Sequence, residues 1–347
     1  MNIIYIVAPY FLIFIISLAF QLLIIKLLHN TPYFLDKKDD DKPQRIHLND
    51  VRRIGGIGIF AGLLIAVPFT GVLSGKLFYI LLLSLSPVFL IGLLEDLKRN
   101  ISRIIRLLFV AAAAVLAVVS MRLTLSHVAF VIIPVWIAVL FAIFAVVGVT
   151  NALNLIDGLN GLASGYAIIS FLILAAAAYA SNDFELFKII LIFISAALGF
   201  FILNYPKGIV FLGDSGSYIL GFSVAVLSIL LVLRNPGISE WFVFAILLYP
   251  VFETLFSIYR RIFIMSKNPA SSDRLHLHTL LAKRVFRSNY APTFYILSGV
   301  FIADIFSLYF NSDKYILISI SLMFILIYIS LYGSIVKFRI NVRSKVA

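Results

Sequence analysis

The sequence predicts an all-α, polytopic integral membrane protein with about eleven (10–11) transmembrane helices. Of its 347 residues, 62% are hydrophobic and only 13% are charged, and the mean hydropathy is +1.09. Soluble domains contain much less apolar sequence than this. The long apolar runs reach the roughly 20 residues that a helix needs to cross a bilayer. They do not show the alternating pattern of outer-membrane strands.

We expect a single membrane domain over residues 1–347, because no connection is long enough to form a second domain. The first apolar segment is interpreted as a span, since it has neither the basic n-region nor the cleavage site of a signal peptide. The predicted spans lie near residues 3–27, 56–73, 77–95, 104–121, 128–150, 162–180, 185–203, 215–233, 241–263, 291–310 and 315–334.

The distribution of positive charge predicts the orientation of the chain in the membrane. The formal net charge is +12, and most of the 28 Lys and Arg residues fall in one set of alternate connections. The other set holds only Lys76, Arg122, Lys188, Arg234 and Lys314. The positive-inside rule then puts the N-terminus outside and the C-terminus in the cytoplasm. Charge placed in this way suits anionic lipid and an anionic substrate, and we expect no nucleic-acid partner. The absence of cysteine excludes thiolate metal sites.

The first cytoplasmic loop, residues 28–55, ends in Arg53, Gly55 and Gly56 at the start of the second span. Paired glycines at a helix start allow backbone N–H groups to approach a phosphate, and an arginine can clamp it. Membrane anchoring beside a small-residue packing site explains the same residues equally well.

The second loop, residues 95–106, begins with the adjacent carboxylates of Glu95 and Asp96. Two such groups at a membrane boundary repel each other unless a cation or a shared proton lies between them. One of them could then serve as a general base. A surface pair neutralised by Lys98 and Arg99 is the alternative.

The third loop, residues 150–161, carries Asn151, Asn154 and Asp157 at intervals of three residues, followed by Gly158 and Gly161. On a helix these polar side chains stay close to one face. Amides that end in a carboxylate can hold a hydrated cation or a sugar. A polar helix end with turn glycines is the simpler interpretation.

The fourth loop, residues 204–217, runs from Asn204 to Asp214, which comes immediately before an apolar helix with Ser215 and Gly216 in its first turn. Asp214 is explained either as a helix N-cap or as a magnesium ligand beside a diphosphate at the helix N-terminus.

The fifth loop, residues 260–290, contains Asp273, Arg274, His276 and His278. A zinc site would need three or four ligands, so hydrogen bonding to a phosphate or nucleotide is the better interpretation of the two histidines. Glu253 and Asp304 lie inside predicted spans, where carboxylates are costly and often functional. The sequence assigns neither of them a role.

Taken together, the five loops resemble the polyprenyl-phosphate N-acetylhexosamine-1-phosphate transferases of glycosyltransferase family 4, which include phospho-MurNAc-pentapeptide translocase. The resemblance runs from Arg53 to Thr279. It rests on R-x-G-G at 53–56, an acidic pair at 95–96, N-x-x-N-x-x-D-G-x-[DN]-G-L at 151–162, F-[ML]-G-D-[ST]-G-S at 211–217 and the histidine motif at 276–278. Glu95 stands where the family usually has aspartate, and Thr279 where it often has a further histidine. The translocase branch tends to have a loop richer in histidine, so the second departure favours the branch that starts O-antigen, capsule, enterobacterial-antigen or teichoic-acid glycans.

The resemblance implies a reaction in which a UDP-N-acetylhexosamine and undecaprenyl phosphate give undecaprenyl-diphosphate-HexNAc and UMP. It implies Mg²⁺, or Mn²⁺ in its place, and a bacterial cytoplasmic (inner) membrane with the active site facing the cytoplasm. A homodimer is left open. We prefer direct in-line attack to a covalent carboxylate intermediate, although the sequence does not decide between them.

The resemblance also implies roles for particular residues. The implied catalytic residues are Glu95, Asp96, Asp157 and Asp214. Asp214 is the expected chief magnesium ligand, with Asp96, Asn154 and Asp157. The implied substrate-binding residues are Arg53, Gly55, Gly56, Asn151, Asn154, Asn160, Asn204, Asp273, Arg274, His276 and His278.

Three alternatives remain at this stage. A transporter or flippase would need polar residues at mid-bilayer, whereas most of the polar clusters here lie in loops. A catalytically silent polyprenyl-phosphate binder would bind lipid without turnover. Within the enzyme interpretation, the alternative is the peptidoglycan pentapeptide transferase.

Overall fold

The computed structural model describes residues 3–36, 50–69, 75–124, 127–128, 131–266, 268 and 275–343. Its helices are α1 (Ile3–Leu27), α2 (Gly55–Ile65), α3 (Gly75–Lys98), α4 (Arg103–Met121), α5 (Val135–Ile156), α6 (Leu162–Ala180), α7 (Phe184–Asn204), α8 (Gly213–Arg234), α9 (Glu240–Ile246), α10 (Leu248–Tyr259), α11 (Leu277–Leu280), α12 (Ala291–Tyr309) and α13 (Lys314–Arg343). Short 3₁₀ or π turns follow α2, α10 and α11 at Val67–Phe69, Arg260–Ile264 and Leu281–Phe286.

The predicted all-α polytopic fold is confirmed. Within the described ranges, nine helices are long and apolar enough to cross a membrane, and the bent pair of α9 with α10 and the turn that follows brings the number to ten. Residues 56–69 of the remaining predicted span, 56–73, are described by the structure, and the α-helix there is α2, which has 11 residues. At 1.5 Å per residue, α2 covers about half of the bilayer core. The orientation of the termini stays a prediction.

The span predicted at 241–263 is bent by 69° between α9 and α10. Pro250 lies just after the break and has no N–H to donate to the carbonyl oxygen of Ile246, four residues earlier. The hydroxyl of Tyr166 in α6 donates to that carbonyl instead, at 2.5 Å. The freed backbone acceptor is therefore satisfied inside the bundle, as hydrocarbon surroundings require.

Helix α8 is the centre of the bundle. In its most apolar stretch, 89% of the residues are buried, whereas the share is 11% in the corresponding stretch of the peripheral helix α13. It packs against α2, α3, α5 and α6. Residues at the N-terminus of α8 are consequently fixed by a helix that packs against four others.

A small sheet that the sequence did not predict lies beside this N-terminus. Strand β2 (Val51–Arg53) pairs antiparallel with β1 (Leu35–Asp36) and parallel with β5 (Val210–Phe211). A separate hairpin joins β3 (His127–Val128) and β4 (Val131–Ile132). The first sheet links the loop after α1 to the loop before α8, and it places Arg53 opposite Phe211.

Candidate active site

A cavity of about 360 Å³ opens at one end of the bundle, and residues from all five predicted loops line it. Its wall includes Asp36 and Arg53 from the first loop, Arg103 and Arg106 from the second, Asn154, Asp157 and Asn160 from the third, Asn204, Phe211 and Asp214 from the fourth, and His276, His278 and Thr279 from the fifth. Carboxylates, guanidinium groups, amides and imidazoles therefore meet in one space.

Asp96 holds the first turn of α8. The N-terminal N–H groups of a helix need acceptors, and Leu212 at the N-cap offers none from its side chain. The Asp96 carboxylate in the last turns of α3 accepts from the backbone N–H of Asp214 at 2.8 Å and of Ser215 at 3.0 Å, and from the Ser215 hydroxyl at 2.6 Å. Its side chain is fully buried and lies outside the cavity wall. Asp96 thus positions Asp214.

Glycines allow this arrangement. Gly213 has φ of +74°, and a side chain there would also meet the Asp96 carboxylate. A Cβ on Gly92 would lie 2.5 Å from the backbone of Ser215, so α3 and α8 approach each other through Gly92. The close contact between the two helices is what allows a carboxylate of α3 to reach the first turn of α8.

The structure supports the packing interpretation of Gly55 and Gly56. Both are buried and lie outside the cavity wall. The N–H of Gly56 donates to the carbonyl of Leu212 at 3.1 Å, and a Cβ at Gly56 would collide with Ser215 and Gly216. The glycine pair therefore brings the N-termini of α2 and α8 together.

Asp214 lines the cavity and forms an ion pair with Arg106. The same guanidinium lies 3.8 Å from Glu95 Oε1. Glu95 Oε2 accepts from the backbone N–H of Ile101 at 2.9 Å. The adjacent carboxylates of Glu95 and Asp96 consequently point in different directions and bind different partners.

Asp157 lies at the C-terminal end of α5 and lines the cavity. Removal from solvent raises the pKa of Asp157 to about 7, an effect that Arg53 opposes and that Asp214 and Asp96 reinforce. Asn154 also lines the cavity and donates to the Ser217 hydroxyl at 2.8 Å.

Asn151 lies apart from this group. It donates to the carbonyl of Val147 at 2.8 Å within α5 and is not part of the cavity wall. Of the three polar side chains at intervals of three residues, the second and third therefore reach the cavity.

The two arginines of β2, Arg52 and Arg53, bind different groups. Arg52 donates to backbone carbonyls of the segment that follows α1, among them those of Thr31 at 3.0 Å and Tyr33 at 2.6 Å. Arg53 lines the cavity and binds Asp36 through Nη2 at 2.7 Å and Nε at 3.1 Å. Arg99 approaches the same carboxylate at 3.8 Å.

Asn160 and Asn204 join the third and fourth loops. Asn204 accepts from the N–H of Gly161 at 2.5 Å and donates to the carbonyl of Val210 at 2.7 Å. Asn160 donates to the carbonyl of Pro206 at 2.9 Å. Although both residues lie in the cavity wall, these contacts hold the loops in place.

The rings of His276 and His278 are stacked, with 5.4 Å between their centroids and an angle of 11° between their planes. His276 Nδ1 lies 2.9 Å from Oε1 of Glu253. Burial lowers the pKa of His278 to about 4, Glu253 opposes this shift and His276 adds to it. His278 is therefore neutral at physiological pH. The predicted residues Asp273 and Arg274 lie outside the described residues.

Arg103, Arg106, Asp36 and Glu253 were not among the predicted site residues. Arg103 and Arg106 are three residues apart at the start of α4, so they share a helix face directly after the acidic pair. That spacing was the available signal. Asp36 and Glu253 are brought to the site by tertiary structure alone.

Some side chains of the cavity wall could serve as ligands of a divalent cation. In the parts of the chain that the structure describes, no three His, Cys, Asp or Glu side chains gather into a ready metal cage. Magnesium in phosphoryl-transfer sites needs only one or two carboxylates, because phosphates and water complete its shell. Asp214 and Asp157, with the amide oxygen of Asn154, offer this kind of donor set.

Comparison with known proteins gives consistent matches. The model of the family described as "Glycosyl transferase family 4" matches residues 78–232. A Thermotoga maritima undecaprenyl-phosphate alpha-N-acetylglucosaminyl 1-phosphate transferase is 32% identical over 255 residues, 73% of this chain and 74% of that protein. A Bacillus subtilis protein named as a probable undecaprenyl-phosphate N-acetylglucosaminyl 1-phosphate transferase is 28% identical over 271 residues, 76% of this chain and 75% of its own. A Lactiplantibacillus plantarum phospho-N-acetylmuramoyl-pentapeptide-transferase is 40% identical over 92 residues, 26% of this chain and 29% of that protein.

Proposed function

The chain belongs to glycosyl transferase family 4, and on that premise we propose that it transfers N-acetylhexosamine 1-phosphate from a UDP-sugar to undecaprenyl phosphate, with release of UMP. The observation that carries the proposal is the cavity, in which Asp157, Asp214, Arg53 and Arg106 meet at the end of a membrane bundle. Such a site can bring a lipid phosphate and a sugar nucleotide together while its cations balance their charges. The product starts a cell-envelope glycan such as O-antigen, capsule or teichoic acid.

In the reaction, an oxygen of the lipid phosphate attacks the sugar-linked phosphorus of the donor. The bond from that phosphorus to the bridging oxygen breaks, and UMP leaves with the bond's electron pair. A phosphate monoester has its second pKa near 6, so the acceptor is already mostly a dianion at neutral pH and needs no strong base. The side chains therefore act by orientation and charge, and direct attack accounts for the reaction without a covalent intermediate.

The residues of the cavity have different roles in this reaction. Arg53 and Arg106 neutralise phosphate oxygens, and His276 and His278 hydrogen-bond the diphosphate. Asp214, with Asp157 and Asn154, would hold Mg²⁺ or Mn²⁺. The ion would draw the phosphates together and withdraw charge from the phosphorus. Asp96 keeps the first turn of α8, and hence Asp214, in place.

The experiment uses purified protein in detergent with undecaprenyl phosphate, magnesium and a panel of UDP-sugars, and it follows UMP release. UMP formed from one donor, and lost in both Asp214→Asn and Asp157→Asn, would support the proposal. Asp183→Asn is the matched control, because Asp183 pairs with Arg234 at the opposite end of α6 from Asp157. Absence of UMP with every donor, from protein that still binds the lipid, would instead indicate a silent polyprenyl-phosphate binder.

A second candidate is the pentapeptide transferase of peptidoglycan synthesis. It is favoured by the stretch of about 100 residues in which relatives with that name reach 42% identity. Adding UDP-MurNAc-pentapeptide to the donor panel separates the two. Turnover of that donor in preference to simple UDP-HexNAc would establish the second candidate.

We also propose that the protein lies in the bacterial cytoplasmic (inner) membrane with the cavity facing the cytoplasm, as the excess of basic residues in those loops suggests. The chain has no cysteine, so single cysteines can report the orientation. Lys207→Cys and Asn182→Cys place exposed thiols at opposite ends of α7. In intact cells, an impermeant maleimide should label only the second variant, and labelling of the first alone would reverse the proposed orientation.

A further inference from the structure

A buried carboxylate outside the cavity wall connects three elements of the bundle to the histidine motif. The Glu253 side chain in α10 is fully buried. Its Oε1 accepts from the backbone N–H of Leu277 at 3.3 Å and lies 2.9 Å from Nδ1 of His276. Its Oε2 accepts from the hydroxyl of Tyr328 in α13 at 2.6 Å.

These contacts fix which ring nitrogen of His276 carries a proton. An ionised carboxylate can only accept hydrogen bonds, so Nδ1 of His276 must donate. His276 belongs to the cavity wall, and its other ring nitrogen, Nε2, is buried. Among the described residues, no group forms a hydrogen bond with Nε2. A buried ring nitrogen left in this way is suited to a ligand group that enters the cavity.

We propose that Glu253 is a positioning residue, which holds the Nδ1–H side of the His276 ring so that Nε2 faces a phosphate oxygen of the donor diphosphate. This inference rests on the proposed function. To donate to an anionic oxygen, Nε2 must carry a proton as well as Nδ1, and the Glu253 carboxylate then lies beside the ring as its counter-charge. Tyr328 contributes by fixing the second carboxylate oxygen.

The neighbouring histidine provides a contrast. His278 stacks on His276, but burial keeps it neutral. Its Nε2 side faces Gly158, where a Cβ would lie 2.9 Å from that atom. Among the described residues, Nδ1 of His276 has a carboxylate partner and Nδ1 of His278 does not. The pair therefore combines one ring oriented by a carboxylate with one neutral ring.

The competing explanation is structural. Glu253 joins α10, the start of α11 and α13, so its loss would lower stability whether or not His276 is present. A double-mutant cycle separates the explanations, because a residue that acts through His276 has no effect on turnover once His276 is removed.

The test compares Glu253→Gln, His276→Ala and the double variant in the UMP-release assay, with thermal unfolding of each. We expect Glu253→Gln alone to lower kcat/KM by about 10- to 100-fold, by analogy with the loss of a carboxylate that orients a metal-bound histidine. The loss should appear in the KM for the UDP-sugar, with the KM for undecaprenyl phosphate unchanged. On the His276→Ala background we expect less than about a twofold change.

Two further variants keep the test decisive. Asp304→Asn is the matched control, since Asp304 is also a buried acid within a span but has no contact with His276 among the described residues. It should have the same effect on kcat/KM in both backgrounds. If Glu253→Gln does not fold, Tyr328→Phe replaces it, with an expected loss of about threefold only when His276 is present.

An equal loss from Glu253→Gln in both backgrounds, or an equal rise in the KM of donor and acceptor, would overturn the positioning role. Wild-type protein that releases no UMP from any donor would overturn the proposed function instead. The two failures are therefore distinguishable from the same set of measurements.

Discussion

Replacement of Asp96 by asparagine tests whether this carboxylate acts through α8 or in the chemistry itself. Its two oxygens receive three hydrogen bonds from the first turn of α8. Asparagine keeps one oxygen and places an NH₂ group against donors of the helix. A hydrogen bond to a charged group contributes about 1.5–3 kcal/mol, and we expect a loss of that size. The displaced first turn should also raise the magnesium concentration that gives half-maximal UMP release.

The measurements are thermal unfolding in detergent and the magnesium dependence of UMP release. Ser215→Ala is the matched control, because it removes one of the three hydrogen bonds and keeps the charge of Asp96. It should cost a similar amount, about 1.5–3 kcal/mol, because it removes a hydrogen bond to the same charged group, and it should leave the magnesium dependence close to wild type. An Asp96→Asn protein with unchanged melting temperature and magnesium dependence, but with kcat lowered at least 100-fold, would refute the reasoning and make Asp96 a catalytic group.

Three other outcomes follow from the structure. Arg106→Ala should lower kcat at least tenfold, and it should also lower the half-saturating magnesium concentration because the guanidinium no longer occupies Asp214. Arg106→Lys should restore part of kcat. A higher magnesium requirement in Arg106→Ala would contradict this prediction. Because burial raises the pKa of Asp157 from 3.8 to about 7, the folded state prefers the protonated acid, so without divalent cation its stabilising contribution is lost as the pH rises between about 4 and 7. The melting temperature should accordingly be lower at pH 8 than at pH 5, and Asp157→Asn should reduce that difference. Gly92→Ala should destabilise the protein by about 1–3 kcal/mol by separating α3 from α8, whereas Gly148→Ala, with open space at its Cβ position, should be neutral in the same unfolding assay.

The membrane spans were predictable because their length follows directly from bilayer thickness. The shortness of α2 was not, since the apolar run of 56–73 continues beyond Ile65 without a strong break before Pro68. The bend after α9 did have a signal in Pro250, but its geometry depends on Tyr166, which lies in another helix. Local composition gives the number and length of spans, and contacts between helices decide where they bend.

The candidate active site, like the spans, was predictable in part from the sequence and in part only from contacts between helices. Motifs that end consecutive helices on one side of the bundle must meet there, so residues of all five loops around one cavity follow from topology. The direction of the Asp96 side chain could not be predicted, because it depends on the close contact between α3 and α8 at Gly92 and Gly213. Glu253 is 23 residues from His276 in the chain, and only the bend and packing of α10 bring them together.

Two arginines of the cavity wall are each paired with a carboxylate. Arg53 is held by Asp36, and Arg106 by Asp214. Neither guanidinium is withdrawn from solvent without a counter-charge, which would be costly at a membrane boundary. A donor diphosphate carries the charge needed to draw Arg106 away from Asp214, and a divalent cation could replace Arg106 at that carboxylate. Substrate and cation therefore favour each other's binding, because both act on the same ion pair. The lower kcat and the lower magnesium requirement expected for Arg106→Ala have this single cause.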